Sequence, residues 1–128
     1  MIVPIKIDIS DKKDSGLGHW WHQKLTAVAL LPLTLWFLIV MPGFIALNFE
    51  GKLQWLDSKL NIFLLGVFFL IASYHMKLGL TVVIEDYIHN NRIKKILLLV
   101  IVIFTLMIPV LTISTCLYFN LEMNDKSL

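Results

Sequence analysis

A single histidine, His75, stands in an otherwise apolar run from Ile62 to Ile84, whose only other basic residue is Lys77 and which holds no acid. A neutral imidazole can ligate iron, and histidine is a common axial ligand of haem. At about 100° per residue on a helix, Gly79, Val82 and Asp86 fall within roughly 40° of His75 on one face. Gly79, one turn away, leaves room for a flat macrocycle or for a closely packed helix. The other three histidines, His19, His22 and His89, lie outside the apolar runs. A six-coordinate haem at His75 therefore needs its second ligand from another chain. The alternative is that His75 hydrogen-bonds a neighbouring helix as a packing contact.

Where the same run ends, the chain reads Ile84-Glu85-Asp86-Tyr87-Ile88-His89. Tyrosine supplies a neutral O–H donor at pH 7, and a carboxylate supplies an acceptor that also relays protons. Together these suit the reduction of a quinone, which takes a hydrogen bond at its carbonyl and two protons from the aqueous side. Read as structure alone, Tyr87 is an interfacial aromatic and the acids are solvated groups at a helix end.

A third cluster, His19-Trp20-Trp21-His22-Gln23-Lys24-Leu25-Thr26-Ala27, opens the first apolar run. His19 and His22 have a spacing that a metal site could use, yet no third ligand is near in sequence. Lys24 is expected at the same inner surface as Tyr87, reaching an anionic cofactor group in one direction or phospholipid in the other. Lys77 lies about 200° around the helix from His75 and is expected to extend toward headgroups or a partner. Cys116, the only cysteine, sits within an apolar run and reads as a small lipid-facing or packing residue.

These residues must be positioned by elements that live in lipid. Of 128 residues, 58% are hydrophobic and 16% charged, a balance far from that of a soluble domain of this size. Crossing a bilayer core takes about 20 mostly apolar residues as helix, because every backbone polar group must be satisfied internally. Three segments qualify, about 25–47, 62–84 and 96–119. Pro32 and Pro109 fall within them and are expected to kink the helices without ending them. The polar stretches from Asn48 to Lys59 and from Glu85 to Lys95 are expected to be loops.

The resulting architecture is an all-α integral membrane fold, three transmembrane helices in an up-down-up bundle. With the N-terminus inside, the inner side carries Lys6, Lys12, Lys13, Lys24, Arg92, Lys94 and Lys95, seven basic residues against three (Lys52, Lys59 and Lys126) outside. Residues 1–24 are then an inner-side segment, 25–119 the membrane domain and 120–128 an outer tail. Trp20, Trp21 and Trp55 flank the spans as an aromatic belt. The mixed Lys and Asp residues of the N-terminal segment lack the pattern of a removable signal peptide. The net charge of +2, with no long basic block, gives no ground for a nucleic-acid partner.

His75-Met76-Lys77-Leu78-Gly79, then Val83-Ile84-Glu85-Asp86-Tyr87-Ile88, with Gln23-Lys24-Leu25-Thr26-Ala27 before them, resembles the hydrophobic membrane anchor subunits of succinate dehydrogenase, respiratory complex II. The resemblance runs from about Gly18 to the end of the third span. Its most specific part is a histidine followed by glycine four residues later and by Asp-Tyr at eleven and twelve. It implies that His75 is an axial ligand of haem b, binding the haem iron jointly with a histidine of a second, cytochrome b-type anchor subunit. It implies that Tyr87 hydrogen-bonds ubiquinone, with Asp86 beside the same site. A flavoprotein and an iron–sulfur subunit, which hold the FAD and the clusters, would dock on the inner face. Succinate would be oxidised at the flavin and electrons passed to ubiquinone, joining the tricarboxylic acid cycle to the respiratory chain, with no succinate chemistry in this chain. Its place would be the bacterial cytoplasmic or the mitochondrial inner membrane. Lys24 departs from the family pattern, which has an arginine associated with a haem propionate; lysine keeps the charge but loses the planar fork. Two other readings stand beside this one: the anchor of a fumarate reductase, and a haem-free structural or assembly protein of the membrane.

Overall fold

The computed structural model describes residues 10–126, with side chains described for 16–122, 124 and 125. Four helices follow in order: α1 Ser10–Ala46, α2 Phe49–Asp57, α3 Lys59–Tyr87 and α4 Asn91–Lys126. No strand occurs among the described residues. Three of the helices, α1, α3 and α4, are long and apolar enough to cross a membrane, over Gly16–Ala46, Lys59–Tyr87 and Asn91–Glu122. At about 1.5 Å per residue, each is longer than the roughly 30 Å hydrocarbon core. Helix α1 continues through both Pro32 and Pro42, and α4 through Pro109. Residues 10–17 already belong to α1, while 1–9 lie outside the described residues, as do 127 and 128.

The connection expected to be a loop between the first two spans instead holds α2. Asn48 caps it, its side-chain oxygen accepting from the backbone N–H of Gly51 at 2.9 Å, and Glu50 lies in the positive first turn. Asn61 at the start of α3 donates to the carbonyl of Trp55 at 3.1 Å, and the Trp55 ring packs on Phe44 of α1 with centroids 4.8 Å apart. Nine residues suffice for a helix here because both ends and one face are held from outside.

The second connection is tight. Ile88 donates its N–H to the carbonyl of Ile84, and the side chain of Asn90 accepts from Arg92 N–H at 2.9 Å to start α4. Lys94 of α4 donates its ammonium to the carbonyl of Glu85 at 3.2 Å. That carbonyl lies in the last turn of α3, where helical partners run out and the helix dipole favours a cation.

Helix α3 is the middle helix, packed along α1 on one side and α4 on the other. Toward α1, Phe37 stacks on Phe68 with centroids 4.5 Å apart and meets Phe69 edge-on at 6.1 Å. On α4, Ile101, Thr105, Pro109 and Cys116 are buried and share one stripe of the helix. Of its two expected roles, lipid-facing or packing, Cys116 thus has the second. Most other large apolar side chains, among them Leu25, Ile39, Phe63 and Leu106, face outward. In water such a surface would be a liability; in lipid it is the ordinary exterior of a membrane helix.

Candidate functional site

The pairs Thr26–His75 and Phe37–Phe68 show that α1 and α3 run antiparallel. Thr26 and His75, separated by 49 residues in sequence, approach to 2.8 Å between Oγ1 and Nδ1. The threonine hydroxyl is held in turn by its own helix, 2.8 Å from the carbonyl of His22 and 3.0 Å from that of Gln23. His75 is half-buried and lines an open cleft of about 310 Å³ together with Trp20, Gln23, Lys24 and Ala27 of α1. Lys24 lays its ammonium over the Trp20 ring, 4.3 Å from the centroid, a cation–π contact that keeps a positive charge at the cleft.

Lys24 therefore does not stand level with Tyr87, as its position near the start of an apolar run suggested. Helix α1 begins at Ser10, so Lys24 sits about four turns into it, opposite the His75 level of α3. The lysine is brought to the histidine and kept away from the tyrosine. Gly79 has open space where a side chain would be: no atom of the chain lies within 4 Å of an added Cβ, helix backbone and neighbours aside. The gap beside His75 thus opens outward and makes no room for a helix of this chain.

His22 has a separate arrangement. Its Nδ1 is 2.7 Å from the carbonyl of Gly18, which can only accept, so that nitrogen carries the proton. Its ring meets Tyr74 edge-on with centroids 6.5 Å apart. Among the described residues no three His, Cys, Asp or Glu side chains gather in a way that could hold a metal ion. Any metal bound at His75 would need its remaining ligands from a macrocycle or another chain.

Asp86 and Tyr87 close α3, and both are exposed, Tyr87 at 76%. Neither side chain has a hydrogen-bond partner among the described residues, so an O–H donor and a carboxylate acceptor stand open together at the helix end. Lys94 braces that end through the backbone carbonyl of Glu85.

The chain matches the family model of the succinate dehydrogenase/fumarate reductase transmembrane subunit over residues 9–109. It belongs to that family. It is similar to the succinate dehydrogenase hydrophobic membrane anchor subunit of Rickettsia typhi, 32% identical over 116 residues, covering 89% of this chain and 91% of the relative. The corresponding subunit of Rickettsia bellii is 30% identical over 89% of this chain and 91% of its own. A succinate dehydrogenase membrane anchor subunit of Reclinomonas americana is 25% identical over 81% and 85%. No solved structure matches. As a member of this family with three spans, the chain is a multi-pass subunit of an enzyme complex in the bacterial cytoplasmic or mitochondrial inner membrane.

Sequence reasoning passed over Thr26. It appeared there only as part of a motif, because a threonine on a membrane helix commonly bonds its own i−4 carbonyl and nothing more. The contact with His75 needs the antiparallel register of α1 on α3, which no local pattern encodes. Trp20 and Gln23 join the cleft for the same reason.

Proposed function

We propose that this chain is the hydrophobic membrane anchor of a succinate dehydrogenase and holds one side of a haem b and part of a ubiquinone site. One observation carries the reading: the family match over residues 9–109 takes in Lys24, His75, Gly79, Asp86 and Tyr87 together. The residues fit the group they would hold. His75 offers an imidazole in an open cleft, Gly79 leaves clear space one turn away, and Lys24 holds a cation at the same cleft, suited to a propionate. When bound, haem b supplies a one-electron redox centre beside the path to the quinone.

At the other end of α3, the Tyr87 hydroxyl donates to a ubiquinone carbonyl and so favours the developing negative charge on that oxygen. Asp86 accepts and passes protons from the aqueous side. Two electrons from succinate, delivered by the flavoprotein and iron–sulfur partners, and two protons convert the quinone to quinol. The excess of Lys and Arg places the N-terminus and the α3–α4 turn inside, where those partners dock. The membrane domain takes in the 25–119 region and, on α1, the turns back to Gly16 that bring Lys24 to the His75 cleft, with the N-terminal residues before it on the inner side and 120–128 as the outer tail. A fumarate reductase anchor would use the same parts with a lower-potential quinone. The names of the relatives favour succinate oxidation.

Purification in mild detergent tests this. A second anchor subunit, an iron–sulfur subunit and a flavoprotein should come with the chain, and dithionite-reduced minus oxidised spectra should contain a b-type band. A stable, haem-free monomer with intact helices would count decisively for the structural alternative.

A further inference from the structure

The Thr26 hydroxyl carries one hydrogen and two lone pairs, and three atoms surround it at hydrogen-bonding distance. Two are carbonyl oxygens, of His22 at 2.8 Å and Gln23 at 3.0 Å, and these can only accept. The third is His75 Nδ1 at 2.8 Å, which donates in one tautomer and accepts in the other. If the hydroxyl hydrogen pointed at His75, two oxygen–oxygen contacts near 3 Å would remain with no hydrogen between them. Directed at its own helix, the hydrogen is shared between the carbonyls of His22 and Gln23 and leaves a lone pair facing the ring. Nδ1 must then carry the imidazole hydrogen, and Nε2 is left as the ring's free lone pair.

We infer that Thr26 is a positioning residue that fixes the tautomer of His75, presenting Nε2 as the nitrogen able to bind iron. The inference rests on the proposed role of His75 as a haem ligand. Two features make Thr26 suited to the task. Its hydroxyl direction is set by the backbone of α1, so the acceptor is in place whether or not a metal is bound. The bond crosses from α1 to α3, so it also fixes where the ring sits between two helices. A metal-ligating histidine commonly donates its other ring N–H to such an acceptor, which orients the ring and raises its basicity. Lys24 lies two residues before Thr26 on the same helix and lines the same cleft, so α1 would supply both the orienting hydroxyl and a charge.

The test uses the whole complex, with Thr26→Val, Thr26→Ser and His75→Ala compared with the natural chain. Haem content, the haem midpoint potential and the low-temperature electron paramagnetic resonance spectrum of the ferric haem are the readouts. Thr26→Val keeps the shape and removes the acceptor. It should weaken haem retention by roughly 10- to 100-fold in affinity, raise the midpoint potential as the ring becomes a poorer electron donor, and shift the ligand-field signals. Thr26→Ser, which restores a hydroxyl that can bond the same carbonyl, should bring the potential and spectrum back toward those of the natural chain. Natural values in Thr26→Val overturn the inference. Equal shifts in Thr26→Val and Thr26→Ser would also overturn it, because packing and not the hydroxyl would then be responsible. If Thr26→Val does not assemble, Thr26→Ala takes its place against the same Thr26→Ser standard. His75→Ala separates the two levels. A natural ligation spectrum in that variant removes His75 as ligand and the inference with it; a lost or altered one, with an unshifted Thr26→Val, leaves the haem reading standing and removes only the role of Thr26.

Discussion

His75 and Tyr87 lie on one helix, twelve residues apart, so that about 18 Å of α3 separates the cleft beside α1 from the open donor at the C-terminal end of the helix. No side-chain hydrogen bond links the two among the described residues. Each can be changed without disturbing the packing of the other. This separation gives the two proposed sites different signatures under mutation.

Replacing His75 with alanine should abolish or alter the b-type haem spectrum while the helix still inserts, since alanine is a good helix former. It also leaves Thr26 bonded to its own helix, so no orphaned group remains on α1. Quinone reduction should be lowered but not abolished, because the Tyr87 end keeps its groups and its bracing. Difference spectra and succinate:ubiquinone turnover on the same preparation check both parts. An unchanged spectrum in an assembled complex would move the ligand elsewhere.

Lys24 lines the cleft with His75 and holds a positive charge over Trp20. A cation near a redox centre stabilises the reduced, more negative state. Lys24→Met, which retains the length of the chain but not the charge, should therefore lower the haem midpoint potential, and Lys24→Arg should keep or raise it. Arginine also offers the planar fork that suits a carboxylate. Redox titrations of the two variants check the sign; equal potentials in both would show that the charge does not act on the haem.

The three long helices were legible in the sequence because about twenty residues without charge leave a chain in lipid no other way to satisfy its backbone. The short helix α2 was not. Its nine residues mix Glu50, Lys52 and Asp57 with Phe49, Leu53 and Leu56, and polar content alone reads as a loop. The available signal was Asn48 before Phe49 and Glu50, a capping residue followed by an acid in the first turn. Of the site, His75, Gly79, Asp86 and Tyr87 could be singled out because they sit on one helix at countable spacing. Lys24 was placed at the wrong level because a charge next to an apolar run is ordinarily assigned to the water boundary, whereas α1 extends well past that boundary. Thr26 needed the helix–helix register, which is a tertiary property.

The cap on α2 gives a local prediction. Asn48→Ala removes the acceptor that Gly51 N–H uses at 2.9 Å and should destabilise α2 by about 0.5–2 kcal/mol. Helix α2 packs against α3 and α4, so its loosening should show as faster amide hydrogen exchange over residues 49–57. The haem spectrum should be unaffected, because α2 lies at the opposite end of α3 from Tyr87 and well beyond the His75 cleft. Unchanged exchange over α2 would mean that its contacts with Phe44 and Asn61, and not the cap, hold it.

Tyr87 provides the most discriminating case, because its ring and its hydroxyl can be separated. The side chain is largely exposed, and its O–H has no partner among the described residues, so Tyr87→Phe should leave folding and assembly intact. What it deletes is the proposed donor to the quinone carbonyl. A hydrogen bond of this kind is worth roughly 1–3 kcal/mol, which corresponds to a loss of about 5- to 150-fold in quinone-dependent turnover if it acts mainly in the transition state. Succinate oxidation with an artificial acceptor that takes electrons upstream of the quinone should remain near the natural rate. The haem spectrum should also be unchanged, since His75 is some 18 Å away along α3. Measuring both activities on one preparation separates electron delivery from quinone chemistry. If the variant reduced ubiquinone at the natural rate and kept its sensitivity to quinone-site inhibitors, Asp86 and Tyr87 would have to be released from the quinone site and read as a solvated helix end.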